Sequence, residues 1–364
     1  MRNNVLIESG LAPIAKNFAY PPPQKRKRDS NLELLRIVSM FLVLIIHYIP
    51  TRGAVTLESL SDNFWYSLGS LELRSLSFVC VHCFILLSGF FGIHWRFKSF
   101  ASLLFQILFW GILGYLIAMA LPIPYEHESL EFVGWLNWIR ERWFISAYLL
   151  LYILSPILNA FIKKCTEQEL GKYILIFYLF STIYGYFMKS YEFNAGTSAV
   201  SLFGLYLVGA YLKKTTLPIA TWNKWYDLSM YLGIGVIMVL ISILLLKLGI
   251  QSSIYGYLNP LVILESIFLF QFFRKYNIPY NRIINWIAAS AFAAYLFHYH
   301  CFLCDNYFKI LNDINTNSNY PFIAAMLFII IVFFVAIFID KIRILLFNLV
   351  YIFLKKINIK GRGY

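Results

Sequence analysis

Charged side chains are scarce in this sequence: 13% of its 364 residues are charged and 60% are hydrophobic. Acidic residues are scarcer still, with 18 against 31 basic ones. A soluble chain of this size needs polar helix faces toward water, whereas the runs here are apolar on all sides. The composition excludes an ordinary soluble domain and indicates that the chain is surrounded by lipid.

Ten apolar runs predict membrane-crossing helices, each of which needs about 20 residues to cross about 30 Å of hydrocarbon. We therefore expect an all-α fold, a polytopic membrane helix bundle of about ten transmembrane helices. The fifth and sixth runs are shorter than the usual length. In chain order the runs are Leu32–Ile49, Leu76–Ile93, Ser102–Leu121, Trp143–Ile162, Lys172–Phe187, Gly196–Leu212, Leu228–Leu248, Tyr257–Phe273, Trp286–Cys304 and Pro321–Ile339.

Lysine and arginine are distributed unevenly between the two sides that ten spans define. Twenty-three lie in the N-terminal tail, the even-numbered loops and the C-terminal tail, and six lie on the opposite side. Such an excess marks the cytoplasmic side of a membrane protein. We predict that both termini are cytoplasmic.

Three segments follow from this topology. Residues 1–30 are predicted to be a basic, disordered cytoplasmic tail, 31–340 the membrane domain, and 341–364 a second basic tail that extends the last helix or lies on the membrane surface. The run Lys25–Arg28 would indicate nucleic-acid binding in a soluble protein, but beside a span it marks the cytoplasmic side. We expect no nucleic-acid partner, and a bilayer whose anionic head groups contact these cations.

Two polar residues of the first span require an explanation, because a charge at mid-membrane costs about 2.5 to 3.5 kcal/mol. Arg36 and His47 are eleven residues apart, so they share a helix face about 16 Å apart along the axis. Arg36 is also positioned to pair with Glu33. Imidazole exchanges protons near neutral pH, and guanidinium binds phosphate in a bidentate manner. The pair predicts an anionic donor near the cytoplasm and proton transfer nearer the outer side.

Other polar residues allow two interpretations each. Ser88 and Gly89 either let helices approach closely or contact a substrate in a channel. Glu265 either pairs with a cation such as Arg36 or a histidine, or is protonated. Arg142 and Trp143 belong to an aromatic and basic cluster with Trp135, Trp138 and Arg140, which suits either a membrane interface or sugar rings with anionic substituents.

Cysteine and histidine concentrate in the outer halves of the second and ninth spans. Two C-x-x-C pairs flanked by histidine fit a zinc site or a disulfide. Cysteine is also a small apolar residue that packs well in a helix interior. We favour packing and expect no metal. The residues are Cys80, His82, Cys83, His298, His300, Cys301 and Cys304.

Four motifs occur in a fixed order along the chain. They are Arg36 and His47 as R-x10-H, FILLSGF at 84–90, WFISAYLLLYILSPILN at 143–159, and YLFHYH at 295–300. In this order, on ten spans, the chain resembles the bacterial acyltransferase-3 family of membrane-bound O-acyltransferases. The resemblance covers nearly all of residues 31–340.

The resemblance implies transfer of an acyl group, usually acetyl, from cytosolic acyl-CoA to a hydroxyl of an exported or lipid-linked cell-surface glycan. It implies acetyl-CoA as donor and a multi-pass location in the bacterial cell membrane. Arg36 and His47 become the catalytic pair, with Arg36, Ser88 and Gly89 toward the donor. Candidate substrate contacts are Arg142, Trp143 and His298 by position, and Glu265 as a buried acid. The alternatives are a transporter or flippase, or a polymerase, of lipid-linked glycans.

Overall fold

The computed structural model describes residues 29–120, 142–250 and 254–360, the last five of these as backbone only. Within these ranges the chain is helical and contains no β-strand, so the expected all-α helix bundle is confirmed. The α-helices are α1 Ser30–Tyr48, α2 Leu57–Asp62, α3 Phe64–Ser77, α4 Cys80–Phe91, α5 Phe97–Ala120, α6 Trp143–Lys164, α7 Glu167–Phe180, α8 Ala199–Lys214, α9 Lys224–Lys247, α10 Pro260–Lys275, α11 Arg282–Ala288, α12 Ala291–His298, α13 Cys304–Asn317 and α14 Pro321–Lys360.

Seven helical segments of the described chain are long and apolar enough to cross a membrane. The other three predicted crossings correspond to the 16-residue helices α8 and α10 and to the pair α11 and α12. The polytopic bundle is confirmed, while ten crossings and cytoplasmic termini stay predictions. We call the end predicted to be cytoplasmic the inner end, and the other the outer end. The seven are Ser30–Arg52, Phe64–Phe91, Phe97–Ala120, Trp143–Lys164, Glu167–Phe187, Lys224–Lys247 and Pro321–Lys355.

The second predicted span began too late. Its helical segment starts at Phe64 rather than Leu76 and turns at Phe78 and Val79, between α3 and α4. The apolar run begins only at Leu76 because polar residues such as Glu72 and Arg74 precede it. These residues lie in the helix all the same.

The ninth predicted span, Trp286–Cys304, is not one helix. α11 ends at Ala288 and α12 ends at His298, where the chain turns before α13. The backbone N–H of Phe302 donates to His300 Nδ1 at 3.2 Å, so a side chain stabilises the turn in place of helical bonds. The turn places Tyr299 and His300 beside the outer half of α1 and α5.

Close packing of α4 on α8 fixes the FILLSGF segment. A Cβ atom at Gly89 would lie 2.0 Å from Tyr206 O, and one at Gly209 would lie 2.3 Å from Leu86 O. Small residues allow this contact between helix backbones, as is usual in membrane bundles. Glycine at these positions lets α4 lie directly on α8.

Two of the sequence motifs meet at the inner end of the bundle. Tyr206 Oη donates to Asn159 Oδ1 at 2.8 Å and accepts from Ile93 N at 2.8 Å. Asn159 Nδ2 also donates to Ile93 O at 2.8 Å. The last residue of the 143–159 motif thus binds the chain three residues after the 84–90 motif.

The last helix continues without interruption across the predicted domain boundary at residues 340 and 341. Arg343, counted above among the tail cations, is buried and pairs with Asp340 at 2.8 Å. Gln106 Nε2 and Trp110 Nε1 of α5 donate to the same carboxylate at 3.0 and 3.3 Å. We call these residues, with Ser102, the closed cluster. Residues 1–28 and 361–364, the ends of the predicted tails, lie outside the described ranges.

Candidate active site

One face of α1 leads from the inner end to a small cavity in the outer half. Arg36, Met40, Val43 and His47 follow the i, i+4, i+7, i+11 spacing of a single helix face. The last three line a cavity of about 60 Å³, and Arg36 lies one turn below Met40. The shared face expected from the sequence therefore connects an arginine to an enclosed histidine.

This cavity, called the His47 cavity, is formed by α1, α4, α6 and the end of α12. Six aromatic side chains line it, and one of them, Phe84, contributes the α4 side together with Cys80. Aromatic and aliphatic walls lower the local dielectric around the imidazole and strengthen its electrostatic interactions. The complete lining is Met40, Val43, Ile46, His47, Cys80, Val81, Phe84, Trp143, Phe144, Tyr257, Tyr295 and Tyr299.

Two histidines form a hydrogen-bonded relay at the edge of the cavity. His298 Nδ1 lies 2.6 Å from Ala294 O, and since a carbonyl only accepts, this nitrogen donates. The His298 Nε2 atom lies 2.8 Å from His47 Nδ1. With both rings neutral, His298 accepts there and His47 Nδ1 carries the proton. His47 Nε2 is then an unprotonated base, and it has no hydrogen-bond partner among the described residues.

Tyr299 holds the His47 ring in place. The two rings stack with centroids 4.3 Å apart and an angle of 13°. Arg142 Cζ lies 4.0 Å from the centroid of Tyr299, and since stacking fills one face of the phenol ring, the guanidinium occupies the other. Arg142 also donates to Cys304 Sγ at 3.3 Å, while its buried Nε has no hydrogen-bond partner in the described chain.

Trp143 forms part of the cavity wall together with Phe144 and Tyr257. Its ring lies 5.4 Å from Tyr257 and 5.7 Å from Phe144. The structure thus brings together His47, His298, Arg142 and Trp143 of the residues singled out by sequence. Together they provide a base, a residue that orients it, a cation and an aromatic surface. Trp135, Trp138 and Arg140 of the predicted outer cluster lie outside the described residues.

Arg36 lies apart from the cavity and partly exposed. It pairs with Glu33 at 3.4 Å, as the i, i+3 spacing allows, and its side chain remains 30% exposed. The exposed guanidinium edge is available to an anion. Further cations lie at the same end: Arg274 and Lys213 approach the ring of Phe90 at 5.3 and 5.8 Å.

Ser88 and Gly89 lie on α4 below the cavity. Ser88 Oγ donates to Phe84 O at 3.0 Å and lies 3.4 Å from Tyr148 Oη. Gly89 packs against the backbone of Tyr206 as described above. These contacts are those of helix packing, and the contact of both residues with the donor stays a prediction.

Glu265 is not part of the His47 cavity. It is fully buried, and neither carboxylate oxygen has a hydrogen-bond partner within the described ranges. Of the two alternatives that the sequence left open, pairing with Arg36 or a histidine is not formed among the described residues. A Cβ atom built on Gly235 would lie 3.4 Å from Glu265 Oε1, so this carboxyl group faces α9.

The cysteine and histidine residues do not assemble into one site. All five cysteines are free, and no group of three metal-ligating side chains occurs in the part of the chain that is described. His82 Nε2 donates to Tyr257 O at 2.8 Å, and His300 Nε2 lies 3.2 Å from Gly111 O. The two C-x-x-C pairs therefore form no disulfide.

Sequence reasoning missed the tyrosines of the site. Tyr257, Tyr295 and Tyr299 line the cavity, and Tyr299 joins His47 to Arg142. Tyr299 lies between two histidines in the YLFHYH motif, which was a signal that the aromatic residue also matters. Tyr257 comes from a segment before α10 and carries no comparable signal.

One family model spans nearly the whole helix bundle, including the residues of the His47 cavity. The acyltransferase-3 family model, described as an acyltransferase domain, matches residues 29–340. The chain belongs to the acyltransferase-3 family. No curated protein and no solved structure gave a match. The match includes every residue of the His47 cavity, so we describe the protein from here on as a membrane acyltransferase.

Proposed function

We propose that this acyltransferase moves an acyl group, most simply acetyl, from cytosolic acyl-CoA to a hydroxyl of an exported or lipid-linked cell-surface glycan. We place it in the bacterial cell membrane. The observation that carries the proposal is that His47, a residue lining the cavity, is oriented through Nδ1 by His298 and keeps its Nε2 without a hydrogen-bond partner among the described residues. An oriented imidazole of this kind suits a general base.

The reaction proposed for this site balances without another reactant. The acceptor hydroxyl gives its proton to His47 Nε2 as its oxygen attacks the thioester carbonyl. The C–O bond forms, the C–S bond breaks, and the CoA sulfur takes the proton back from His47. The His298 contact holds the imidazole in the tautomer that this step requires.

The donor side of the proposal rests on the inner end. Arg36 has a partly exposed guanidinium, and Arg274 and Lys213 lie nearby around Phe90. Phosphates of acyl-CoA suit such cations. From Arg36 to His47 the helix face spans about 16 Å, along which the extended pantetheine arm would carry the thioester.

Arg142 and Trp143 support a sugar acceptor. Trp143 gives an aromatic wall to the cavity, and Arg142 lies behind Tyr299 with one donor unused. An aromatic ring packs against the apolar face of a sugar, and a guanidinium binds anionic substituents. These contacts fit an acceptor at the outer side of the cavity.

His47→Ala tests the proposal directly. We expect acyl transfer from acetyl-CoA to fall by about 100-fold or more, because general-base catalysis contributes about 10² to 10⁴. CoA release by the purified full-length protein in detergent, with surface glycan as acceptor, is the measurement. His94→Ala removes an exposed histidine at the inner end and serves as the matched control.

Wild-type turnover in the His47→Ala protein would refute the proposed role of the base. A mass spectrum of the surface glycan with and without the protein separates the function classes. Loss of acyl groups on intact polymer supports the acyltransferase reaction on glycan. Loss of the whole polymer supports a flippase, and shortened polymer supports a polymerase.

A further inference from the structure

A second cavity, of about 640 Å³, opens at the outer end between α1, α3 and α9. Its wall is mainly aliphatic, with Ile46, Leu245, Leu246 and Ile254 among its residues, and none of the lining residues that the structure describes is acidic. Its volume lies in the range of about 300 to 1,000 Å³ usual for ligand pockets. We call it the outer vestibule.

Arg74 is the cation of this vestibule. Its guanidinium stacks on Tyr255, with Cζ 4.8 Å from the ring centroid. Its guanidinium has no hydrogen-bond or ion-pair partner within the described ranges. Stacking occupies the face of a guanidinium and leaves the N–H donors in its plane free. Arg74 therefore presents an unsatisfied fork of donors to an apolar cavity.

The Tyr255 platform is itself held in position. Its Oη donates to Leu71 O on α3 at 3.3 Å and lies 3.2 Å from Ser242 Oγ on α9. This ring thus joins α3, the helix that carries Arg74, to α9. The arginine is positioned by the fold and does not extend freely into solvent.

Arg52, the neighbouring arginine of the outer end, shows the opposite pattern. Its side chain donates to Ser70 Oγ at 2.7 Å, Tyr66 O at 3.3 Å and Tyr48 Oη at 3.4 Å. These bonds use the guanidinium within the protein and join the end of α1 to α3. The contrast indicates that Arg74 serves a ligand, whereas Arg52 serves the fold.

The outer vestibule and the His47 cavity are neighbours. Ile46 lines both of them. Phe78 lines the vestibule, and its ring lies 4.9 Å from that of Tyr257, which covers the His47 cavity. A single layer of side chains, formed by Ile46 and by the contact of Phe78 with Tyr257, therefore separates the two cavities.

We infer that the outer vestibule binds the isoprenoid phosphate anchor of a lipid-linked acceptor. Arg74 binds the phosphate, and the aliphatic wall covers the start of the isoprenoid chain. The sugar attached to the phosphate then lies toward His47. This inference rests on the proposed function, and it specifies that the acceptor is acylated while still attached to its lipid.

The lining decides between this ligand and a free polysaccharide. A free glycan is polar along its length and needs many hydrogen-bonding groups, whereas one guanidinium in an aliphatic wall matches one anion beside a hydrocarbon chain. An ordinary phospholipid shares that chemistry but has no sugar to present to His47. The position beside the His47 cavity therefore favours the isoprenoid phosphate.

Binding of farnesyl phosphate to the purified full-length protein tests the inference. We expect its Kd to rise about tenfold or more in Arg74→Gln, because a charge-assisted bidentate contact is lost. Farnesol, which lacks the phosphate, should bind both proteins equally. Lys309→Gln removes an exposed cation on α13 and should leave both affinities unchanged.

Equal affinity of wild type and Arg74→Gln for farnesyl phosphate would overturn the inference. Equal displacement of farnesyl phosphate by phosphatidylglycerol would also overturn it, since the vestibule would then be an ordinary lipid site. If Arg74→Gln does not fold, Arg74→Lys keeps the charge but loses the fork. It should weaken the phosphate ligand more than farnesol, and a parallel change in both would contradict the proposal.

The same titration in His47→Ala separates this inference from the proposed function. Arg74 is not a residue of the His47 cavity, so farnesyl phosphate should bind His47→Ala as it binds wild type. Absence of acyl transfer by wild type would refute the function and leave the binding result standing. Normal acyl transfer without phosphate selectivity would refute the vestibule ligand alone.

Discussion

Two buried polar clusters of the bundle differ in how completely their atoms are paired. In the closed cluster, Asp340 accepts from Gln106, Trp110 and Arg343, and Arg343 also reaches Ser102 at 3.4 Å. In the cluster around His47, which we call the open cluster, His47 Nε2 and Arg142 Nε lack hydrogen-bond partners among the described residues. The open cluster also borders a cavity, whereas the closed one is packed between α5 and α14.

The difference separates two roles of buried polar groups, which are unfavourable in a membrane. A buried charge with all its hydrogen bonds formed joins helices where lipid offers no partners. A polar atom left without a partner beside a cavity keeps its capacity for a substrate. The presence of a charge in an apolar span does not distinguish the two cases, but unpaired atoms together with a bordering cavity do.

The largest effect on stability should come from Asp340→Ala. The substitution leaves Arg343 buried without its counter-ion, and breaking such a pair costs about 3 to 5 kcal/mol. We expect a lower folded yield and a lower thermal unfolding midpoint in detergent, with acyl transfer per folded molecule near wild type. Asp313→Ala removes an exposed acid and is the control. A stable but inactive Asp340→Ala protein would contradict the distinction between the clusters.

His298 and His300, two residues apart, test the same distinction through the rate of acyl transfer. His298→Ala removes the partner of His47 Nδ1, and we expect acyl transfer to fall by about 100-fold with the fold retained. His298→Gln should restore part of this activity, because the side-chain carbonyl oxygen of glutamine can accept the hydrogen bond from His47 Nδ1. A structural role alone would give equal stability loss in both variants and no selective recovery of rate.

His300→Ala is the matched control for that experiment. His300 lies against Gly114 and near Gly111 O, so its loss should lower the unfolding midpoint. Specific activity should fall far less than in His298→Ala, because the partner of His47 Nδ1 is His298. A greater loss of specific activity in His300→Ala than in His298→Ala would reverse the assignment.

The smallest effect should come from Arg36→Gln, which tests an arginine of intermediate pairing. Arg36 has one ion-pair partner and remains 30% exposed, in contrast with the buried Arg343. We expect the KM for acetyl-CoA to rise by about tenfold with kcat little changed, since a charged hydrogen bond contributes about 1.5 to 3 kcal/mol. Lys172→Gln, at an exposed inner position, should leave KM unchanged. An unchanged KM in Arg36→Gln would remove the arginine from the donor site.

Much of the bundle was predictable because hydrocarbon restricts the chain to helices with satisfied backbones. The spacing of Arg36 and His47 also followed directly from helical geometry, and the structure places both on α1. The start of α3 was not predictable from apolar runs. The apolar run of the second span begins only at Leu76, whereas Glu72 and Arg74 before it lie in the same helix.

The assembly of the site required tertiary contacts. His298 meets His47 across 251 positions of sequence, and no local pattern records that distance. Arg343 was interpreted as a tail cation because the apolar run ends before it, although its partners on α5 bury it. Periodicity identifies which face a residue occupies, but the partner across that face comes from the packing of other helices.

The relay that begins at His47 ends at the carbonyl of Ala294. A carbonyl oxygen accepts a hydrogen bond but has no proton to pass on, so the relay orients the base without connecting it to water. A proton taken from the acceptor hydroxyl must return to the departing sulfur. On this arrangement we expect the proposed acyl transfer to be independent of the transmembrane proton gradient, neither consuming it nor letting protons leak across the bilayer.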